Sequence, residues 1–222
     1  MKLNKLKVKE NVKKALEEDG YKSDLSLNSS KINKKHVAKA KLVTRQNGIL
    51  SGSFWFEQAF KIIDKNAEFN WKVLEGRNFK KNTEIVEIKA SIQAILSGER
   101  TALNFLQMMS GISSKAKAYS DYLKDTKIEL LDTRKTLPNL RYEQKYSTYI
   151  GGVKNHRFGL FDAIMLKDNH IKAFGGIKKI KNFKFLDKGD FLEIEIEKIS
   201  QILPALKCKP DIFLLDNLNI KD

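Results

Sequence analysis

A disulfide scaffold or a thiolate metal cluster needs several cysteines, and this sequence has one, Cys208. Both are excluded, and a lone thiol suits a reducing cytoplasm. Long apolar runs are also missing. None approaches the ~18 residues that a membrane span needs, so no membrane partner is expected. The first residues, MKLNKLKVKENVKKAL, carry charge throughout and contain no apolar stretch. They are not expected to act as a signal peptide. Several catalytic signatures are absent too: G-x-G-x-x-G, a Walker loop, H-E-x-x-H and G-x-S-x-G. Dinucleotide folds, P-loop enzymes, zincins and serine hydrolases of the elbow type lose their usual markers.

Arginine is the other scarcity. Of 42 basic residues only six are Arg: Arg45, Arg77, Arg100, Arg134, Arg141 and Arg157. Four of them lie between 100 and 157, where even spacing would place about one or two. Lys cannot copy the planar guanidinium fork, so retention there points to bidentate recognition of an anion. His156 and His170 fall in or near the same stretch, and only His36 lies elsewhere. The net charge of +15 is mostly Lys, dispersed along the chain. Nucleic-acid readers concentrate basic residues on one face and rely on Arg, so no nucleic-acid partner is expected.

What the chain does contain is enough for a substantial core. At 222 residues and 41% hydrophobic it is ordinary for a globular protein. A chain of this size hides roughly 70% of its unfolded surface. Residues 7–18 read as a helix, 37–43 as a strand and 45–48 as a turn. Residues 53–64 read as an amphipathic helix with its aromatic side inward. Residues 68–74 and 83–91 read as strands around the turn 75–78. This first part is a mixed layer with mostly antiparallel strands. Residues 91–123 form a long helical stretch, expected to break near Gly111. Its apolar positions are 92, 95, 96, 103, 106 and 109, while Arg100, Asn104 and Gln107 make a polar stripe. Plain solvent exposure explains that stripe equally well.

From 127 onward a unit of apolar strand, polar loop and helix repeats. The strands are 127–132, 162–167, 190–197 and 211–216. Helices are expected at about 141–150, 169–182 and 198–207. Such units argue for a parallel sheet, and without a glycine-rich loop they favour a barrel over a doubly wound sheet. The fold class is expected to be α/β: a mixed α+β layer over 1–98, then βα units over 99–222 that favour a barrel.

Charge gathers at the strand ends. Asp132, Thr133, Arg134 and Lys135 follow the first strand, and Lys167, Asp168, Asn169 and His170 follow the second. Glu193, Glu195 and Glu197 alternate on one face of the third strand, and Asp216 and Asn217 close the fourth. Lys154, His156 and Arg157 sit in the loop before the second strand. Asp168 and Asn169 are equally readable as helix caps. In a (β/α) barrel the C-terminal strand ends hold the catalytic groups. Arg100, Arg134, Lys135, His156, Arg157 and Lys167 would make a cationic cavity suited to a phosphate, a diphosphate or a dicarboxylate. Glu195 and Asp216 would repel such an anion unless Mg²⁺ stood between them and a diphosphate.

At these residues the sequence resembles the quinolinate phosphoribosyltransferase family (nicotinate-nucleotide pyrophosphorylase, decarboxylating). The likeness is carried by GERTALNFLQMMSGIS at 98–113, LLDTRKTLPNLR at 130–141 and YIGGVKNHRFGLFDAIMLKDNHI at 149–171. LEIEIE at 192–197 and IFLLDN at 212–217 continue it, with weaker likeness at 15–26 and 40–52. The resemblance implies an open α/β sandwich with an incomplete barrel, assembled as a homodimer or higher oligomer. It implies transfer of phosphoribosyl from phosphoribosyl pyrophosphate to quinolinate, with Mg²⁺ as cofactor, yielding nicotinate mononucleotide, pyrophosphate and CO₂ for NAD biosynthesis. Arg134, His156, Arg157 and Lys167 would hold the quinolinate carboxylates, with Arg100 supplied by the neighbouring subunit. Thr133 and Lys135 would line the junction of substrate and sugar phosphate. Glu195 and Asp216 would face the ribose and hold the metal, directly or through water. Lys135, Lys167, Glu195 and Asp216 would be the catalytic set.

Two residues depart from the family pattern: Val153 replaces the third glycine of a GGG run, and Asn139 replaces a glycine after proline. The family also continues with further strands and sugar-phosphate loops, whereas a full barrel alone takes ~250 residues. An unusually short barrel and a truncated product both fit. So three readings stand: the active enzyme, a paralogue acting on another pyridine carboxylate, and a truncated member that binds or assembles without turnover.

Overall fold

The computed structural model describes residues 1–180 and 191–219. They divide into two compact units, Met1–His156 and Arg157–Asp222.

In the first unit, helix α1 (Lys5–Glu18) starts at Asn4, whose side chain accepts from the Lys7 backbone N–H at 3.1 Å. Val8, Val12 and Leu16 recur at helical spacing and are all fully buried. A short turn α2 (Leu25–Asn28) leads to strand β1 (Val37–Val43). Strands β2 (Gly48–Ile49) and β4 (Asn78–Phe79) pair as a small ribbon that the sequence did not announce. Helix α3 (Ser53–Lys61) buries Trp55, Phe56, Ala59 and Phe60. It is followed by β3 (Glu68–Trp71) and β5 (Glu84–Ser91). The sheet order is β1-β5-β3, antiparallel throughout, as the alternating patterns implied.

Helix α4 runs unbroken from Ile92 to Tyr122, which corrects the expected break at Gly111. A mid-helix glycine costs only ~1 kcal/mol relative to alanine, and packing on both sides of it exceeds that. Another correction concerns its inner face. Of the expected apolar positions Leu106 and Met109 are buried but Leu96 is half exposed, and the buried stripe also takes in Ala94, Ser97, Thr101, Phe105, Ser113 and Ala116. Small residues let α3 and α5 (Arg141–Ile150) lie close against it. At Gly151 a Cβ would stand 2.5 Å from both the Ala116 Cβ and the Ser113 carbonyl oxygen.

The expected strand at 127–132 is not formed. It is reduced to a single parallel bridge between Leu131 and Lys154. Lys154 N–H donates to the Leu130 carbonyl at 2.9 Å and Asp132 N–H to the Lys154 carbonyl at 3.0 Å. Beyond that rung the Asp132 side chain, not its backbone, takes up the partner segment.

The second unit holds β6 (Ile164–Leu166), β7 (Leu192–Ile196) and β8 (Ile212–Leu215), a parallel sheet in that order, as expected. Helices α6 (Asp168–Ala173) and α7 (Ile202–Leu206) follow β6 and β7. Leu166, Leu192, Ile194 and Ile196 form a core with Ile171, Ala205 and Cys208. The expected 169–182 helix ends at Ala173, with only a 3-10 turn at Ile177–Lys179 after it, and its residues 181–182, like Asp190 of the expected third strand, lie outside the described residues. The sequence division at 98/99 falls inside α4.

Candidate active site

Within the first unit, four of the expected residues sit around the bridged segment. Thr133 and Lys135 are exposed, with the Lys135 N–H donating to the Thr133 hydroxyl at 3.1 Å. Arg134 is half-buried, and its Nε is buried without an acceptor among the described residues. A guanidinium N–H left bare in the interior is costly, so an incoming carboxylate would supply what it lacks. The next loop places His156, whose backbone N–H donates to Asp132 Oδ1 at 2.9 Å. Asn139 takes the left-handed conformation, φ 62°, that a glycine would adopt freely. Asn is among the side chains best suited to that region, so the loop keeps its glycine-like path. Val153 is buried and its N–H donates to the Thr148 carbonyl at 3.0 Å.

Asp132 and Lys145 were not singled out as site residues. Both side chains are buried, 6% and 1% exposed, and they form an ion pair. Lys145 reads in the sequence as one more surface lysine, and only the packing of α5 reveals otherwise.

Arg100 lies elsewhere in the same unit. With Thr101, Asn104 and Met108 of α4 it lines a hollow of about 300 Å³, closed by Glu18, Asp19 and Leu140. Two members of the polar stripe, Arg100 and Asn104, therefore border a hollow, while Gln107 is exposed outside its lining.

In the second unit the sheet has two unlike faces. Leu192, Ile194 and Ile196 face the apolar core. Alternation puts Glu193 and Glu195 on the other face, and the register puts Met165 beside Glu193 and Leu214 beside Glu195. Lys167 and Asp216, two residues beyond Met165 and Leu214, extend that polar face. Lys167 Nζ donates to Glu195 Oε2 at 2.7 Å. The Arg157 guanidinium joins them, donating to the Ala163 carbonyl at 3.2 Å and to Met165 Sδ at 3.3 Å. Asp168 and Asn169 do not cap α6. That cap is the His170 ring, whose Nδ1 accepts from the Lys167 N–H at 3.0 Å. The Asp168 carboxyl, held below the usual carboxylate range by Lys172, pairs with that lysine at 2.8 Å.

Glu195 and Asp216 are the expected metal residues. Among the described residues no group of three His, Cys, Asp or Glu side chains is placed to hold an ion. One or two carboxylates on a sheet face do fit a Mg²⁺ ion that keeps its waters and arrives with a diphosphate. No described helix is long and apolar enough to cross a membrane.

A parallel βα sheet with cationic and acidic groups gathered on one face defines the class: an α/β protein. The comparisons narrow it. Residues 24–110 match the N-terminal domain of quinolinate phosphoribosyl transferase and residues 112–222 match its C-terminal domain. The probable nicotinate-nucleotide pyrophosphorylase [carboxylating] of Bacillus subtilis is 35% identical over 97% of this chain and 74% of its own length. Its namesake from Synechocystis is 34% identical over 82% of this chain and 63% of its own. The crystal structure of NadC from Streptococcus pyogenes superposes with a TM-score of 0.90 at 36% identity, covering all of this chain and 79% of that one. The chain belongs to the quinolinate phosphoribosyltransferase family. Its fold class is the one read from the sequence, an N-terminal α/β layer with an incomplete α/β barrel.

Proposed function

We propose that this chain transfers phosphoribosyl from phosphoribosyl pyrophosphate to quinolinate and decarboxylates the product. The observation that carries this is the survival of the whole carried-over set in a chain matching both family domains: Arg100, Thr133, Arg134, Lys135, His156, Arg157, Lys167, Glu195 and Asp216.

The residues suit the chemistry. Arg134, His156, Arg157 and Lys167 offer cationic donors to the two carboxylates of quinolinate, and fork-shaped Arg contacts fix its orientation. The pyridine nitrogen then forms a bond to ribose C1 as the C1–O bond to pyrophosphate breaks. The bonding pair leaves with pyrophosphate. Glu195 and Asp216 would stabilise the positive charge developing on the ribose. Lys135 would neutralise phosphate oxygens. Mg²⁺, held by Glu195 and Asp216 through water, would offset the leaving diphosphate's charge. Once alkylated, the ring nitrogen draws electrons from C2. The C2–carboxylate bond breaks, CO₂ departs, and the pair left on C2 takes a proton to give nicotinate mononucleotide. Lys167 must give up Glu195 to hold a substrate carboxylate, which frees the Glu195 charge for the ribose.

We place the reaction in the cytoplasm, on the route to NAD, and in a homodimer or higher assembly with Arg100 completing the neighbour's site. Purified chain incubated with both substrates and Mg²⁺ should release nicotinate mononucleotide, and chelation should stop it. Turnover of nicotinate but not quinolinate would overturn the assignment. Mixing inactive Arg100→Ala and Lys135→Ala chains should restore activity in about a quarter of the sites if sites are shared. No recovery despite subunit exchange would refute the sharing.

A further inference from the structure

We propose that Asp132, backed by Lys145, is a positioning residue that sets where His156 and Arg134 stand without itself touching substrate. This rests on the functional assignment above.

Geometry singles out the Asp132 carboxylate. Main-chain pairing between the two segments ends at the Asp132–Lys154 rung. The Asp132 carboxylate then acts as the next rung. Its Oδ1 accepts from the His156 backbone N–H at 2.9 Å and from Lys145 Nζ. Its Oδ2 accepts from Asn155 Nδ2 at 2.6 Å and lies 3.0 Å from the Thr148 hydroxyl. Three nitrogen donors thus hold one buried carboxylate, and the Thr148 hydroxyl beside it divides its one proton between Oδ2 and the Lys145 carbonyl at 2.9 Å. The Asn155 amide also reaches the Lys145 carbonyl at 2.9 Å, which ties the loop to α5 a second time. In turn α5 is fixed to α4 by the Ser113 hydroxyl, which donates to the Ser147 carbonyl at 2.8 Å.

One carboxylate thus references two loops to the same rigid helix pair. Arg134 lies two residues beyond it along one loop, and His156 is held by its amide on the other. Both are expected to grip quinolinate, so a shift in either spoils the grip on the dicarboxylate. Both Asp132 oxygens already accept from protein groups, Oδ1 from two and Oδ2 from the Asn155 amide. Its effect must pass through its neighbours. A buried ion pair is weak grounds for stability by itself, and fixing a unique arrangement is its better-attested use.

The test uses the full chain with Asp132→Asn and, as a milder probe, Thr148→Val. Two readouts separate positioning from folding. Amide hydrogen exchange at His156 should quicken at least about tenfold in Asp132→Asn relative to amides of α4. Calorimetry should show quinolinate binding weakened about tenfold or more per folded molecule in Asp132→Asn, the usual scale for orienting partners one step from a ligand. The same measurement should show about twofold to fivefold weakening in Thr148→Val, which removes the hydroxyl that bridges Asp132 and the Lys145 carbonyl. KM for quinolinate should rise while KM for phosphoribosyl pyrophosphate stays within about twofold. If Asp132→Asn does not fold, Thr148→Val decides. Wild-type affinity with unchanged exchange at His156 would overturn the inference. If the wild-type chain itself binds no quinolinate, the functional assignment fails first and the inference falls with it.

Discussion

Replacing Lys167 with Met should cost stability as well as activity, and the two losses can be separated. Lys167 Nζ lies 2.7 Å from Glu195 Oε2, with the Glu195 side chain 7% exposed and the Lys167 side chain 45% exposed. Removing one partner of a fully buried pair costs ~3–5 kcal/mol, because the other charge is stranded. Here nearly half of the lysine meets water, so screening and partial hydration reduce the figure to about 1–2 kcal/mol. Glu195→Gln alone keeps an acceptor for the lysine and should cost about 0.5–1 kcal/mol. The double variant Lys167→Met/Glu195→Gln strands no charge. It should recover part of the loss, leaving a coupling of about 1 kcal/mol across the cycle. Urea unfolding of the four proteins measures this, provided the slope m is unchanged. The double variant should nevertheless stay inactive, since both groups are assigned to substrate. Strict additivity of the two single losses would refute the coupling. Turnover by the double variant would refute the assignment.

Other outcomes follow from single residues. Arg134→Lys loses the fork and about 1.5–3 kcal/mol of quinolinate binding, roughly tenfold to a hundredfold by calorimetry; wild-type affinity would contradict this. Gly151→Ala forces a methyl to 2.5 Å from Ala116 and Ser113, so unfolding should show a loss of about 1–3 kcal/mol, and an unchanged Cm would contradict the close approach. The Ser91 backbone N–H, 2.8 Å from the Asp64 carboxylate, holds it below the usual carboxylate range. Its contribution is present above the unfolded value of about 4 and is lost as pH falls through the lower folded value. Asp64→Asn should therefore flatten the acid limb of the stability profile below about pH 4, while an identical limb would contradict the bond.

Much of this was legible before any coordinates. Strand β1 and helix α5 fall on their expected residues, because clean alternation and clean helical spacing leave one solution. The parallel order of β6, β7 and β8 followed from apolar strands separated by helices. Failures came where tertiary contacts overruled local pattern. Residues 127–132 have strand composition, but Ile128 and Leu131 are exposed and the ladder ends after one bridge. Besides Phe105, Leu106 and Met109, the inner stripe of α4 holds Ser97, Thr101, Ser110 and Ser113, which an apolar count passes over. On α5, Glu143 and Lys145 are buried, against every expectation for a charged helix position. Trp55 Nε1 at 3.0 Å and Asn11 Nδ2 at 2.8 Å both donate to Glu143 Oε1, while its Oε2 is buried without a donor among the described residues, and Asp132 pairs with Lys145. Those partners lie up to 132 residues away in the chain, so no window of sequence reveals them. Of the candidate site, the placing of Lys167, Glu195 and Asp216 on or just beyond one parallel sheet was readable, whereas Thr133, Arg134 and Lys135 follow a segment that forms no strand. The Lys167–Glu195 bond and the role of Asp132 were not readable.

In the function proposed for it, this chain couples ribosyl transfer to loss of the carboxylate beside the ring nitrogen. Quinolinate labelled in its C2 carboxyl tests it most directly. With phosphoribosyl pyrophosphate and Mg²⁺ the chain should release one labelled CO₂ per pyrophosphate, and none when phosphoribosyl pyrophosphate is omitted. Pyrophosphate release with the label retained in the nucleotide, or no release from either bond by correctly folded protein, would contradict it.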